Sequence, residues 1–218
     1  MPSLAPRRCG RAPLPVFVAT ALLLGYPCAP AAAQTVKEAA TPAAHAPAAL
    51  SPELQAARAA LEKYQDPVLA IHDGYFSSLA CVEYLEGLEG SMRYVPGGMG
   101  VHFINLQNIG PKLDPARPQV LLYEPQGDRL RLVAAEWFVP TEVAGATRPV
   151  IFGQELQGPM EGHEPLQPKG LHHWDLHVWL WKTNPAGMFS ATNPALKCPK
   201  GSYSFTEHAP KIVKAAGH

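Results

Sequence analysis

The sequence lacks most features that announce a function. It has no excess charge of either sign. Eighteen Lys and Arg stand against eighteen Asp and Glu in 218 residues, which gives no footing for nucleic acid or an anionic membrane surface. No Ser sits in a Gly-x-Ser-x-Gly elbow, so a hydrolase triad has no nucleophile placed for it. Pro96-Gly97-Gly98-Met99-Gly100 reads as a sharp turn. It has neither the spacing nor the preceding apolar strand of a phosphate-binding loop. Haem with an axial His is one variant of a ligand site, but no c-type attachment motif occurs. Apolar runs are short, and the densest, residues 16–24, falls below the length of a membrane span.

Proline is abundant, at 24 residues. That predicts many loops and edge-type strands and argues against a helical bundle. The N-terminus reads as a targeting segment: Arg7, Arg8 and Arg11 precede an apolar run, and Ala31-Ala32-Ala33 offers a small-residue cleavage site before Gln34. The expected organisation is a signal peptide over 1–33, a flexible Ala/Pro/Thr leader over 34–50, one globular domain over 51–200 and a polar tail over 201–218. Cleavage leaves 15 basic against 18 acidic side chains, with Cys81 and Cys198 as the remaining cysteines. In the oxidising periplasm or outside the cell these two are expected to form a disulfide; a thiolate metal site is the alternative.

Ser51-Pro52-Glu53 is a helix start, with an N-cap, proline at the first position and an acid in the first turn. Leu54, Ala57, Leu61 and Tyr64 recur at helical spacing. Pro67 interrupts, and a second short helix is expected through His72, broken by Asp73-Gly74. Strands are expected at 101–106, 120–123, 130–139 (after a Gly127-Asp128 turn), 148–154 and 171–182. With no intervening helices, this predicts an α+β fold in which an N-terminal helical segment packs on a curved antiparallel sheet or small open barrel.

The stretch 171–182 holds three of nine histidines and three of four tryptophans. Alternation along a strand puts His173, Asp175, His177, Trp179 and Trp181 on one face, with His172, Trp174, Leu176, Val178 and Leu180 on the other. Same-face neighbours on a strand are about 7 Å apart, so His173 and His177 are too distant to chelate one ion together. Other ligands must come from His102, His163, Glu136 or Glu124. Met99 and His102, like Met160 and His163, share the spacing Met-x-x-His. A thioether with an imidazole favours copper, whereas imidazole with carboxylate suits zinc, iron or manganese. Copper or zinc is therefore the expected ion. A metal-dependent reaction stays open, because it needs only a free coordination position.

Two other readings compete. Trp179, Trp181, Trp137 and Phe103, with Trp174 and Phe138, could line a pocket for a small apolar or aromatic ligand. Alternatively, the polar residues form a paired network inside a structural protein. Oligomerisation through an exposed sheet edge is a further option.

Gly98-Met99-Gly100-Val101-His102, Tyr123-Glu124-Pro125, Gly162-His163-Glu164-Pro165 and the run from Asp175 to Trp181 together resemble a group of exported bacterial proteins to which no activity is attached. The resemblance covers roughly residues 55–199. It implies those domain limits and lends no reaction.

Overall fold

The structure, a computed structural model, describes residues 49–84, 94–163, 167–200, 204–207 and 210–214. The signal peptide, nearly all of the leader, Glu164, Pro165 and the tail histidines His208 and His218 lie outside them. Among the described residues no helix is long and apolar enough to cross a membrane.

Helix α1 (Pro52–Leu61) starts where its cap predicts, with the Ser51 side chain accepting from the Leu54 N–H. A 3-10 turn follows. Helix α2 (Pro67–His72) is capped by Asp66, whose side chain accepts from the Val68 N–H. The body of the fold is α+β: a sheet of order β7-β8-β4-β3-β2-β1-β9, curled into a half-barrel. Its strands are β1 (Phe76–Tyr84), β2 (Gly97–Ile104), β3 (Val120–Gln126), β4 (Arg129–Pro140), β7 (Gln157–Met160), β8 (His173–Val178) and β9 (Ser204–Glu207). Six run antiparallel; β9 pairs parallel to β1.

Four expectations need correction. The Gly-rich stretch is strand, not turn. A Cβ on Gly98 would collide with Leu196, and Gly100 adopts φ +96° hard against the Tyr123 carbonyl. The glycines let segment 193–196 cross directly over β2. Second, residues 148–154 do not join the main sheet. Two-residue strands β5 (Val150–Ile151) and β6 (Gln154–Glu155) form their own hairpin, turned at Phe152-Gly153, both at positive φ. Third, the strand expected over 171–182 ends at Val178. Beyond it Trp179 N donates to Met188 O and Trp181 N to Val133 O. Fourth, the sheet continues past residue 200. Cys198 is disulfide-bonded to Cys81, which is also the register partner of Ser204, so the bridge brings the tail alongside β1.

The register defines two faces. Glu136 pairs His177, Phe138 pairs Asp175 and Pro140 pairs His173 across β4 and β8. Val120 pairs Glu136, and Ile104 pairs Val120. These residues share one face. Trp137, Leu176, Leu121 and Phe103 take the other, within the main apolar cluster that also holds Leu54 and Leu61. From that side Tyr123 Oη donates to the Tyr64 carbonyl at 2.7 Å.

Candidate metal centre

The face bearing Glu136 is as dry as the apolar one, yet it carries six ionisable groups. His102 comes from β2, Glu136 from β4, and His173, Asp175 and His177 from β8. His163 lies just beyond β7. All six are buried. They fall into two triads, His102/Glu136/His177 and His163/His173/Asp175, each with one donor atom per residue within 4.8 Å of the others. His173 and His177 are thus split between triads, as their spacing along β8 requires. His102, Glu136 and His177 of one triad and His163 and Asp175 of the other border one small cavity of about 20 Å³, also lined by Val82, Met99, Ile104, Val120 and Gln167. That is room for a single water-sized body.

Among the described residues, six buried side-chain N or O atoms have no hydrogen-bond partner: His102 Nδ1, His173 Nε2, Asp175 Oδ1, both ring nitrogens of His177, and Gln167 Oε1. Five of the six belong to residues that line the small cavity, and the sixth, His173 Nε2, faces Asp175, which lines it. An orphaned buried polar atom costs about 1–3 kcal/mol, so their concentration at one cavity is a strong signal of a missing partner.

The triad on the β7 side shows what kind of partner. His173 Nδ1 lies 3.2 Å from the Leu171 carbonyl. A carbonyl only accepts, so Nδ1 carries the hydrogen. In a neutral ring Nε2 then presents its lone pair, and it points at Asp175 Oδ2 across 3.7 Å. Two acceptors face each other at a distance too long for a hydrogen bond. A positive species between them, a proton or a metal ion, removes the repulsion. In the other triad His177 Nε2 stands 3.5 Å from Glu136 Oε2. Tyr84 Oη and His163 Nδ1 are 2.9 Å apart, an outer contact of the sort that orients a metal-ligating imidazole through its second nitrogen.

Burial dominates the electrostatics. It lowers His102, with help from neighbouring His177 and His163, to a pKa of about 3, lowers His163 to about 4, and lowers His177 as well. These imidazoles are neutral at pH 7, the form that ligates metal. The carboxyls diverge. Burial, then the charge of Asp175, pushes Glu136 well above the usual range. Burial also acts to raise Asp175, but a hydrogen bond from protonated His173 and positive charge on the surrounding imidazoles, when they carry it, outweigh burial and hold its carboxyl below the ordinary value.

The remaining expected site residues separate cleanly. Met99 lines the cavity. Met160 is buried beside β8 but accepts a hydrogen bond from Tyr94 Oη at 3.5 Å through its sulfur. Glu124 is paired with Lys182 at 2.9 Å and joins neither triad. Among the described residues, Trp137, Phe103, Trp179 and Trp181 each have partners of their own. Trp137 stacks edge-on against Phe152 and donates to the Asp114 carbonyl. Phe103 packs on Tyr123. Trp179 donates to Ser190 O and Trp181 to Glu62 Oε2. Trp137 follows Glu136 directly and so points to the opposite face, and β8 ends before either later tryptophan. Gln167 and Tyr84 carry no sequence signal for the site; only the folded register brings them to it. No family model matches the chain, and no curated protein or solved structure matches it either.

Proposed function

We propose that this is an exported, periplasmic or secreted protein that binds a transition-metal ion, copper or zinc, in the cavity between β2, β4 and β8. His102, Glu136 and His177 form one ligand set, and His163, His173 and Asp175 the other. The observation that carries the reading is the approach of His173 Nε2 to Asp175 Oδ2 without a hydrogen bond, beside a cavity whose lining residues His102, Asp175, His177 and Gln167 hold the other orphaned buried polar atoms among the described residues. Two imidazoles and one carboxylate would supply a ligand set of the kind found in catalytic zinc sites, so zinc ranks before copper. A copper site would draw its thioether from Met99. The disulfide and the N-terminal targeting pattern support export, as does the resemblance of the motif set to exported proteins.

The test is elemental analysis of untagged protein, followed by zinc and copper titration of the wild type and of His102→Ala, His177→Ala, His163→Ala and His173→Ala. We expect near-stoichiometric metal, with affinity lowered at least about tenfold in the variants of the triad that holds the ion. A wild type that binds neither metal above background would sink the proposal.

A further inference from the structure

Beside the metal cavity lies a second and much larger one, of about 340 Å³. The two share Ile104, Val120 and Gln167 in their walls. The larger cavity is otherwise lined by Phe76, Leu106, Ile109, Phe138, Pro140, Pro168, Leu171 and Gln119, with no charged side chain among them. Gln119 is already satisfied: its Oε1 accepts from the Phe138 N–H and its Nε2 donates to the Asn108 carbonyl. Gln167 is not, and its buried Oε1 lacks a partner. The cavity is also graded. Phe76 and Leu106 stand 50% and 61% exposed, whereas Phe138 and Val120 are 5% and 2% exposed. An apolar mouth thus leads to a dry floor with one unsatisfied acceptor at the wall toward the metal cavity.

From this gradient we infer that the cavity binds a small, uncharged, apolar molecule that ends in a hydroxyl group, with the hydroxyl at Gln167. The volume falls in the range of small-molecule sites, which are largely apolar with a few placed polar groups. A charged head is disfavoured, because no side chain of the wall would compensate its desolvation. A hydroxyl donates to Gln167 Oε1 and keeps lone pairs for a second contact. The wall it meets, formed by Ile104, Val120 and Gln167, is the one shared with the smaller cavity that His102 and His177 line, so the bound molecule brings its oxygen to the side where the proposed ion sits. Binding to the apolar cavity does not require that ion; only the approach of the oxygen to a metal rests on the metal reading.

The experiment uses the full chain, stripped of metal and separately loaded with zinc, titrated with 2-naphthol and with 2-methoxynaphthalene, which lacks the donor. We expect saturable binding of 2-naphthol to the metal-free protein, with Gln167→Leu weakening it about tenfold while leaving 2-methoxynaphthalene unchanged. Leu171→Trp, which fills the cavity from a partly exposed loop position, should abolish binding of both; its retained thermal transition would show that it still folds. The inference is overturned if metal-free wild type binds neither compound, if Leu171→Trp leaves binding intact, or if Gln167→Leu weakens both compounds equally. A protein that binds 2-naphthol but no zinc keeps this inference and loses the metal reading; one that binds zinc but no naphthol does the reverse.

Discussion

Two residues adjacent in sequence, Glu136 and Trp137, are both nearly inaccessible, at 3% and 0% exposure, and they live in opposite chemistries. Trp137 belongs to a face where every neighbour contributes apolar area and the single indole N–H finds a carbonyl. Glu136 belongs to a face where burial works against the residues themselves, raising one carboxyl and suppressing three imidazoles. The difference teaches that burial does not by itself mean stability. One face of the sheet lowers the free energy of the fold. The other holds buried polar groups that lack hydrogen-bond partners among the described residues.

The sharpest way to break this contrast is to truncate each face in turn. Trp137→Ala should cost about 3–5 kcal/mol in urea unfolding, while the fraction that stays folded keeps its zinc affinity. If it loses zinc as severely as Glu136→Ala does, the faces are not independent. Next in size is the effect of metal. Zinc at about a thousandfold excess over its dissociation constant should stabilise the protein by about 4 kcal/mol, and the titration should release protons as Glu136 ionises. No stabilisation and no proton release would remove the claim that the polar face awaits an ion. Conversely, the paired change Glu136→Leu with His177→Leu should leave the metal-free protein as stable or more stable by about 1–3 kcal/mol, while eliminating zinc binding at that triad. A large loss of stability would mean these groups pair with each other well enough to need nothing else.

The smallest effect is the pH profile of the metal-free protein. His102 and His163 have folded pKa values of about 3 and 4, below the roughly 6.5 of an unfolded histidine. Between those limits the unfolded chain takes up protons that the folded one refuses. Stability therefore falls as pH falls from about 6.5, by up to about 1.4 kcal/mol per unit for each such histidine. Glu136 works in the other direction: its raised pKa gives stability that is present below about 4.5 and lost as pH rises through the folded value. Glu136→Gln should erase this upper limb and leave the acid limb in place. An acid limb missing from denaturation curves between pH 4 and pH 6.5 would contradict the buried, neutral histidines.

Much of the fold could be read from residues. The Ser51-Pro52 start, the Asp66-Pro67 restart, and strands β3, β4 and most of β8 follow from caps, turns and branched residues. What could not be read depends on distant partners. Strand β1 contains Ser77-Ser78 and a Leu79 at positive φ, so its pattern is broken locally and rescued by pairing with β2. Gly97 and Gly98 look like a turn until segment 193–196 lies across them. The site was legible as a set of types and not as an arrangement. His102, His163, His173, Asp175, His177 and Glu136 were visible as ligating groups, but their division into two triads is set by strand register. The tryptophans misled because indoles look like ligand walls; here their N–H groups are tied to carbonyls and a carboxylate elsewhere.

The alternation on β8 has a consequence for assembly of the chain as well as for its chemistry. Between β7 and β4, this strand offers two periodic patterns that cannot be exchanged: His173, Asp175 and His177 in one phase, Trp174, Leu176 and Val178 in the other. A slip of one residue would drive a carboxylate and two imidazoles into the hydrocarbon interior and leave an indole in a space sized for one water. The polar groups thus act as a reading frame. Their cost in the wrong phase is what makes the right phase unambiguous, so the residues that would hold the ion also proofread the pairing of the sheet.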